Sequence, residues 1–318
     1  MKVLVTGGFG YLGGRLARSL TSAGRHDVTL GSRVKHFAPV WLPGVNVALT
    51  DWNVLDSLTA ACTGVDAVVH AAGMNAVDCA ADPTGAVLTN GVGTARLLDA
   101  AIRCGVRRFL LVSTAHVYGS PLAGAVTEAV CAAPLHPYAT SRRAAEDIVR
   151  SAHGRGDTEG IVIRLSNAYG APAHGDANCW SLLVNDLCVQ AVETNRMVLR
   201  TSGEQWRDFI AMGEACRAIE HLLCLPDLPM DPLFNVGEWS ATVLEMTGRL
   251  AERVQGSLGR RPEISRVADR DLEPSHPLDY RVSKLRDTGF VPAVPAAGNQ
   301  ELDELIRFCV ARAEAPQS

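Results

Sequence analysis

Several common signatures are missing from this chain of 318 residues. None of its nine cysteines stands in C-x-x-C spacing, and their number is odd. Neither a zinc site nor a disulfide framework is expected, and a reducing cytoplasm fits that usage. No apolar run approaches the ~18 residues of a membrane span. The start, Met1-Lys2-Val3-Leu4-Val5-Thr6, is too short for a signal peptide and runs straight into glycines. Neither sign of charge dominates: 30 Lys and Arg against 34 Asp and Glu leave −4. That balance offers nothing to nucleic acid or an anionic membrane. Repeats and low-complexity tracts are also lacking. What is left is ordinary globular composition, 47% apolar and 20% charged. The expectation is a cytoplasmic protein of one large domain, or two that share a core.

The first half alternates short apolar runs with longer helical patterns. Val3-Leu4-Val5, Val28-Thr29-Leu30, Val45 to Leu49, Asp66 to His70, Arg108 to Val112 and Ile161-Val162-Ile163 read as strands. Most are continuously apolar, as strands covered on both faces are. With helices between them, they predict a doubly wound α/β fold with a parallel sheet and right-handed crossovers. Beyond about residue 170 the pattern turns to shorter strands and helices near 180–191, 211–223, 240–255 and 299–313. The expected division is a dinucleotide-binding domain over 1–170, with returns near 211–238, and a smaller substrate lobe, mainly 171–318.

The segment Thr6-Gly7-Gly8-Phe9-Gly10-Tyr11-Leu12-Gly13 follows a predicted strand and opens a predicted helix. In that context the glycines serve a tight turn, close approach to a pyrophosphate, and helix–strand packing. The helix N-terminus then presents N–H groups to the anion. Gly8, Gly10 and Gly13 fit G-x-G-x-x-G, while Gly7, Gly10 and Gly13 fit G-x-x-G-x-x-G. The second strand ends Leu30-Gly31-Ser32-Arg33, without the carboxylate that would bond a ribose 2′-hydroxyl. A guanidinium at Arg33, helped by Ser32, matches a 2′-phosphate, so NADP is favoured with NAD possible.

Further pieces follow in order. Asp51-Trp52 comes after the third strand and His70-Ala71-Ala72-Gly73 closes the fourth. Ser113-Thr114-Ala115-His116-Val117-Tyr118-Gly119 follows the fifth, and Tyr138-Ala139-Thr140-Ser141-Arg142 opens the next helix. Together with the glycine turn, this order resembles the extended short-chain dehydrogenase/reductases, in particular the nucleotide-sugar epimerase/dehydratase family. The resemblance runs from residue 1 to about 223. It implies Tyr138 as acid/base, Thr114 in the Ser/Thr place, and a cation one helical turn beyond Tyr138 to lower the demand of a phenol whose pKa lies near 10. The family pattern is Tyr-x-x-x-Lys, and this chain has Arg142. Arginine keeps the charge but not the shape of a lysine ammonium. Two readings follow, a working substitute or a catalytically weak NADP-binding regulatory protein.

The resemblance also implies cofactor contacts from Asp51, Trp52, Ala71, Ala72, Gly73 and Asn90. Asn167 and Arg207, in Trp206-Arg207-Asp208-Phe209, would meet the diphosphate of a nucleoside-diphosphate sugar. Asn178 would lie near its base or sugar, and His116 could contact the sugar. The family's 4,6-dehydratases place Asp-Glu after the catalytic Thr; here Ala115-His116 stands there, which disfavours dehydration. A reductase of 4-keto nucleotide sugars is favoured through Arg33, with a 4-epimerase as the alternative. The stretches Ala86 to Cys104 and Tyr138 to His153, with Leu98, Ala101 and Ile102 apolar, imply a homodimer through a four-helix interface.

Overall fold

A computed structural model describes residues 1–266, 276–294 and 296–315. The predicted buried runs form a seven-stranded, all-parallel sheet. Its strands are β1 (Lys2–Thr6), β2 (Asp27–Ser32), β3 (Asn46–Leu49), β4 (Ala67–His70), β5 (Arg108–Thr114), β6 (Glu159–Leu165) and β7 (Leu233–Val236). They lie in the order β7-β6-β5-β4-β1-β2-β3. Every residue of β5 is buried. The order reverses between β1 and β4, the place where doubly wound sheets open a crevice at their carboxyl ends. This is a Rossmann-like sheet. Its outermost strand, β7, comes from the second half of the sequence and pairs in register with β6.

The chain forms two compact units. The first comprises Met1–Ser120, Glu128–Leu165 and Cys216–Val236, and the second Pro121–Thr127, Ser166–Ala215 and Gly237–Ser318. In the first, α1 (Tyr11–Ser22) buries Leu16, Ala17 and Leu20, while α2 (Leu55–Cys62), α3 (Gly93–Arg103) and α4 (Pro137–Gly154) complete the sheet's cover. The stretch Ala86 to Cys104 is not one regular helix. A wider π turn, Val87–Val92, precedes α3. Leu98 and Ala101, expected on an intersubunit face, are instead buried in the core beneath the sheet with Leu4, Phe109 and Val162. The exposed apolar residues of this stretch are Val87 and Leu88.

Placement of α4 rests on polar groups. Pro137 opens it and His136 caps it, the ring Nδ1 accepting the Tyr138 N–H at 3.1 Å. Its buried face repeats every three to four residues through Ala139, Arg142, Ala145, Glu146 and Val149. Glu146 is fully buried and accepts Ser113 Oγ at 2.6 Å and Arg164 Nη2 at 2.6 Å, with Arg164 Nε at 3.1 and 3.2 Å from its two oxygens. Burial alone would lower the Arg164 pKa, but Glu146 outweighs it and holds the guanidinium charged. Arg164 also lies 4.4 Å over the Tyr118 ring, and Tyr118 donates to Asn235 Oδ1 at 2.6 Å. Ser113, Arg164 and Asn235 are register partners on β5, β6 and β7. One polar row thus crosses three strands directly below Thr114.

The second unit has a three-stranded sheet in which Trp206–Ala211 pairs parallel to Asn167–Tyr169 and antiparallel to Trp239–Thr242. Two short parallel pairs add to it, Arg196–Leu199 with Glu263–Arg266 and Gly124–Val126 with Leu278–Tyr280. Helices Leu183–Thr194, Val243–Leu258 and Ala296–Glu314 enclose a core containing Leu187, Leu250 and Leu305. A capping box at Thr242 and Glu245 fixes the start of the middle helix. No described helix is long and apolar enough to cross a membrane.

Breaking the buried pair from one side strands a charge. Arg164→Met is expected to cost about 3–5 kcal/mol of unfolding free energy, read by denaturant titration, whereas replacing both partners by Arg164→Met with Glu146→Leu costs less than the single change.

Candidate active site

The glycine turn is built as a cradle. Gly7 has φ +69°, which L side chains rarely adopt, and a Cβ there would lie 2.9 Å from the Ala72 backbone. A Cβ on Gly13 would overlap the Gly7 carbonyl oxygen. A Cβ on Gly8 would lie 2.9 Å from Leu30 Cβ, so the glycines of both spacings bring β1, β2, α1 and the end of β4 together. Gly10 N–H closes the turn on Gly7 O at 2.8 Å, and the helical ladder begins with Gly14 N–H on Gly10 O at 2.9 Å. The amides of Tyr11, Leu12 and Gly13 thus precede the ladder. No side chain caps α1, and no acidic residue stands in its first turn. That end suits a pyrophosphate.

Around it, Ser32 Oγ accepts the Val34 N–H at 3.3 Å, and Arg33 is exposed on the loop that follows. Asp51 Oδ1 accepts the Asn53 N–H at 2.9 Å, a local turn. The Trp52 ring packs edge-on to His70 at 5.5 Å, against the core beneath the sheet.

His70 is the hub beneath the site. Thr94 Oγ1 donates to the Asn90 carbonyl at 2.5 Å, so its lone pair receives the His70 Nε2–H at 3.0 Å. Nδ1 then accepts from Thr6 Oγ1 at 2.7 Å. Burial first, and Arg142 second, push the ring's pKa down to about 3. Asn90 is fully buried and its amide is spent inside the fold. Oδ1 accepts the Met74 N–H at 2.8 Å and Nδ2 donates to Ser141 Oγ at 2.9 Å. Through these bonds Asn90 ties the loop after β4 to α4.

Thr114 ends β5, where its Oγ1 accepts the His116 N–H at 3.2 Å. Its hydroxyl proton can therefore be given to another acceptor. Tyr138, Arg142 and Glu146 recur at four-residue spacing along α4, on one stripe. Tyr138 is half-buried, and Arg142 Cζ lies 5.7 Å from its ring centroid. Arg142 is buried, donates from Nη1 to Ala72 O at 3.2 Å, and has its Nε without a hydrogen-bond partner. A Cβ on Gly73 would overlap Arg142 Nη2 and stand 2.8 Å from Asn90 Oδ1. Gly73 makes the room that a guanidinium needs where the family pattern has a lysine. Ala71 and Ala72 are half-buried beside it. His116 is exposed.

The remaining candidates belong to the second unit. Asn167 Nδ2 donates to Asp208 O at 2.8 Å. Asn178 is exposed. Arg207 is half-buried, and among the described residues no hydrogen bond or ion pair meets it; burial lowers its pKa. Its neighbour Asp208 points to the other face of the strand, as alternation requires. There it is buried, accepting the Glu238 N–H at 3.1 Å and Ser240 Oγ at 3.0 Å. Burial raises the Asp208 pKa to about 6. Asp208, Glu238, Ser240, Asp279, Arg281 and Arg286 line a pocket of about 450 Å³, none of which the motifs had pointed to. Among the described residues no cluster of His, Cys, Asp and Glu could hold a metal ion.

Residues 3–237 match the NAD dependent epimerase/dehydratase family. The chain belongs to that family. A dTDP-glucose 4,6-dehydratase of Actinoplanes sp. is 31% identical over 92% of this chain and 93% of its own length. A UDP-glucose 4-epimerase of Azospirillum brasilense is 32% identical over 80% of this chain and 78% of its own. The fold matches UDP-glucuronic acid 4-epimerase from Bacillus cereus, solved with UDP-glucuronic acid and NAD, at a TM-score of 0.81 and 21% identity, covering 98% of this chain and 100% of that one. Epimerase/dehydratase enzymes of this kind are short-chain dehydrogenase/reductases, so this chain is an enzyme of that class with a nicotinamide cofactor.

Two measurements test the site's construction. Gly73→Ala should destabilise the protein by about 1–3 kcal/mol through overpacking, and Arg142→Lys in the same chain should recover more than half of that in denaturant titration. For His70, the folded pKa is depressed, so its contribution is complete above about 6.5 and is lost as pH falls towards about 3. Over that window the unfolded chain binds a proton that the folded one refuses, and stability should fall by ~1.4 kcal/mol per pH unit on this account. The acid limb of a His70→Gln variant should be shallower by that slope.

Proposed function

We propose that this enzyme acts on a nucleoside-diphosphate sugar, exchanging hydride at C4 with Tyr138 as the proton carrier. The observation that carries the reading is the α4 stripe, which sets Tyr138 over the Arg142 cation in the unit that also holds the glycine cradle. The cradle suits a dinucleotide, because the N-terminus of α1 has no side-chain cap and no acidic residue in its first turn. Gly7, Gly10, Tyr11, Leu12 and Gly13 would hold its pyrophosphate, with Ser32, Arg33, Asp51 and Trp52 at the adenosine end and Ala71, Ala72 and Gly73 along its path. Bound there, the nicotinamide would supply the hydride acceptor or donor.

This chain's residues handle the proton and the orientation. Tyr138 would take the proton of a sugar hydroxyl, or return one to a ketone oxygen, while Thr114 donates a hydrogen bond to the same oxygen and fixes its direction. Arg142 would supply the positive charge that the family pattern places one helical turn beyond the tyrosine. Ala115 and His116 put no carboxylate beside Thr114, so the Asp-Glu pair that the dehydratases use for loss of water is missing from this position. Arg207, half-buried and unpartnered among the described residues, supports diphosphate recognition, with Asn167, Asn178 and His116 as further substrate contacts.

Two net reactions share these residues. Reduction of a 4-keto sugar is supported by Ser32 and Arg33, which suit NADP, a coenzyme that is exchanged each turnover. Epimerisation at C4 with retained NAD is supported by the names of the relatives. Homodimerisation through the Val87–Arg103 stretch and α4 is part of the same reading, and exposed Val87 and Leu88 support it.

Turnover is tested with 4-keto and 4-hydroxy sugars carried on UDP, dTDP, GDP and CDP, following coenzyme oxidation and product configuration together. Tyr138→Phe should lower kcat by roughly 10²–10⁴-fold. Arg142→Lys should keep activity and Arg142→Ala should lose it. An Arg142→Ala variant as fast as the parent would show that Arg142 has no catalytic role, and no turnover by the parent on any sugar would reject the proposal in favour of the regulatory alternative.

A further inference from the structure

The loop between β2 and β3, residues 33–45, has no secondary structure, and loops of that length inside compact domains usually carry a function. Two devices hold it. Leu42 is buried and its N–H bonds Pro39 O at 3.0 Å. The second is aromatic. Phe9, the residue between Gly8 and Gly10 at the crest of the glycine turn, stacks on His36 with centroids 4.3 Å apart and planes at 26°. The Trp41 ring meets Phe9 edge-on, at 6.1 Å and 83°. Both geometries are favourable for aromatic pairs. A turn whose other positions are glycine thus carries one large ring, and two rings from the loop are fastened to it.

The fastened stretch carries Arg33 and Lys35, both exposed, and Ser32 stands at its root. Phe37 and Val40, on either side of the Leu42–Pro39 turn's approach, are 96% and 97% exposed. The Phe9 contacts tie this stretch, and with it the loop that carries Arg33 and Lys35, to the glycine turn. A loop ordered in advance does not spend binding energy on its own ordering.

We propose that Phe9, His36 and Trp41 form a clasp that holds the 33–45 loop against the glycine turn and sets retention of the dinucleotide at its adenosine end, NADPH more strongly than NADH. This rests on the reading of the glycine turn as the dinucleotide site. Phe9 acts here as a positioning residue, through the loop and its cations, and its effect falls on the ligand that carries the extra phosphate dianion.

The test uses the full chain, with NADPH and NADH as probes, and reads affinity by titration, dissociation rate by stopped-flow nicotinamide fluorescence, and the melting temperature without coenzyme. Phe9→Ala should weaken NADPH about tenfold, ~1.4 kcal/mol, mostly through faster dissociation, and NADH threefold or less. Phe9→Tyr should restore both to within twofold of the parent. His36→Ala, an exposed position that tolerates change, should move the NADPH value in the same direction if Phe9→Ala fails to fold. Equal losses for the two coenzymes, a melting temperature that falls in step with affinity, or affinities unchanged in both variants would overturn the clasp. A parent that binds neither coenzyme would overturn the dinucleotide reading itself, and the clasp with it.

Discussion

The contact on which the first unit depends is the buried pair between Glu146 of α4 and Arg164 of β6. Both side chains are closed to solvent, so neither charge survives without the other. Ser113 gives Glu146 a further hydrogen bond, and Tyr118 and Asn235 surround the guanidinium. A helix held by apolar contacts alone can slide or roll by small amounts. A helix held by a forked, charge-assisted bond to one strand and a hydroxyl bond to the next has one seat. Because Tyr138 and Arg142 lie two turns and one turn back from Glu146 along the same stripe, that seat is also theirs. Immediately above the polar row, Thr114 ends the strand that Ser113 anchors.

A second network meets the first from the other side. Thr6, His70, Thr94 and Asn90 run from β1 through β4 to α3, and Asn90 passes the connection to Ser141 on α4. Ser141 in turn donates to the Tyr138 carbonyl at 2.9 Å. The glycine turn and the start of α4 are therefore joined by hydrogen bonds as well as by sequence order. A neutral His70 suits the centre of this chain, since an imidazolium beside Arg142 would set two cations in the interior. Thr94, a residue with no chemistry of its own, fixes the tautomer.

The sheet was legible in the sequence because most of its strands are continuously apolar and flanked by helices, and the glycine turn because its spacing falls between a strand and a helix. The seat of α4 was not. Arg142, Arg143, Glu146 and Asp147 look like a solvated stripe of alternating charge, and only the fold separates buried Arg142 and Glu146 from half-buried Arg143 and its exposed partner Asp147. Nor did the sequence show that His136 caps α4 or that the Asn90 amide bridges the loop after β4 to that helix. The room for Arg142 depends on the absence of a side chain at Gly73, a residue the motif marked for the cofactor and not for that guanidinium. Strands of the second unit span three to six residues, too few to display a period. Arg207 stood out there through its motif, while buried Asp208 beside it showed no sign of its environment.

Connectivity has a consequence for how such a molecule is made. Six alternating segments build the two units, so the chain passes between them five times. The outer strand of the large sheet, Leu233–Val236, supplies the partner for the edge of Glu159–Leu165 and carries the Asn235 that accepts from Tyr118. Until that late segment leaves the ribosome, the nascent sheet has an open, apolar border and an unfinished polar interior. Synthesis of the N-terminal half therefore cannot yield a finished module that waits for the remainder. Maturation of the nucleotide-binding half is coupled to translation of most of the protein.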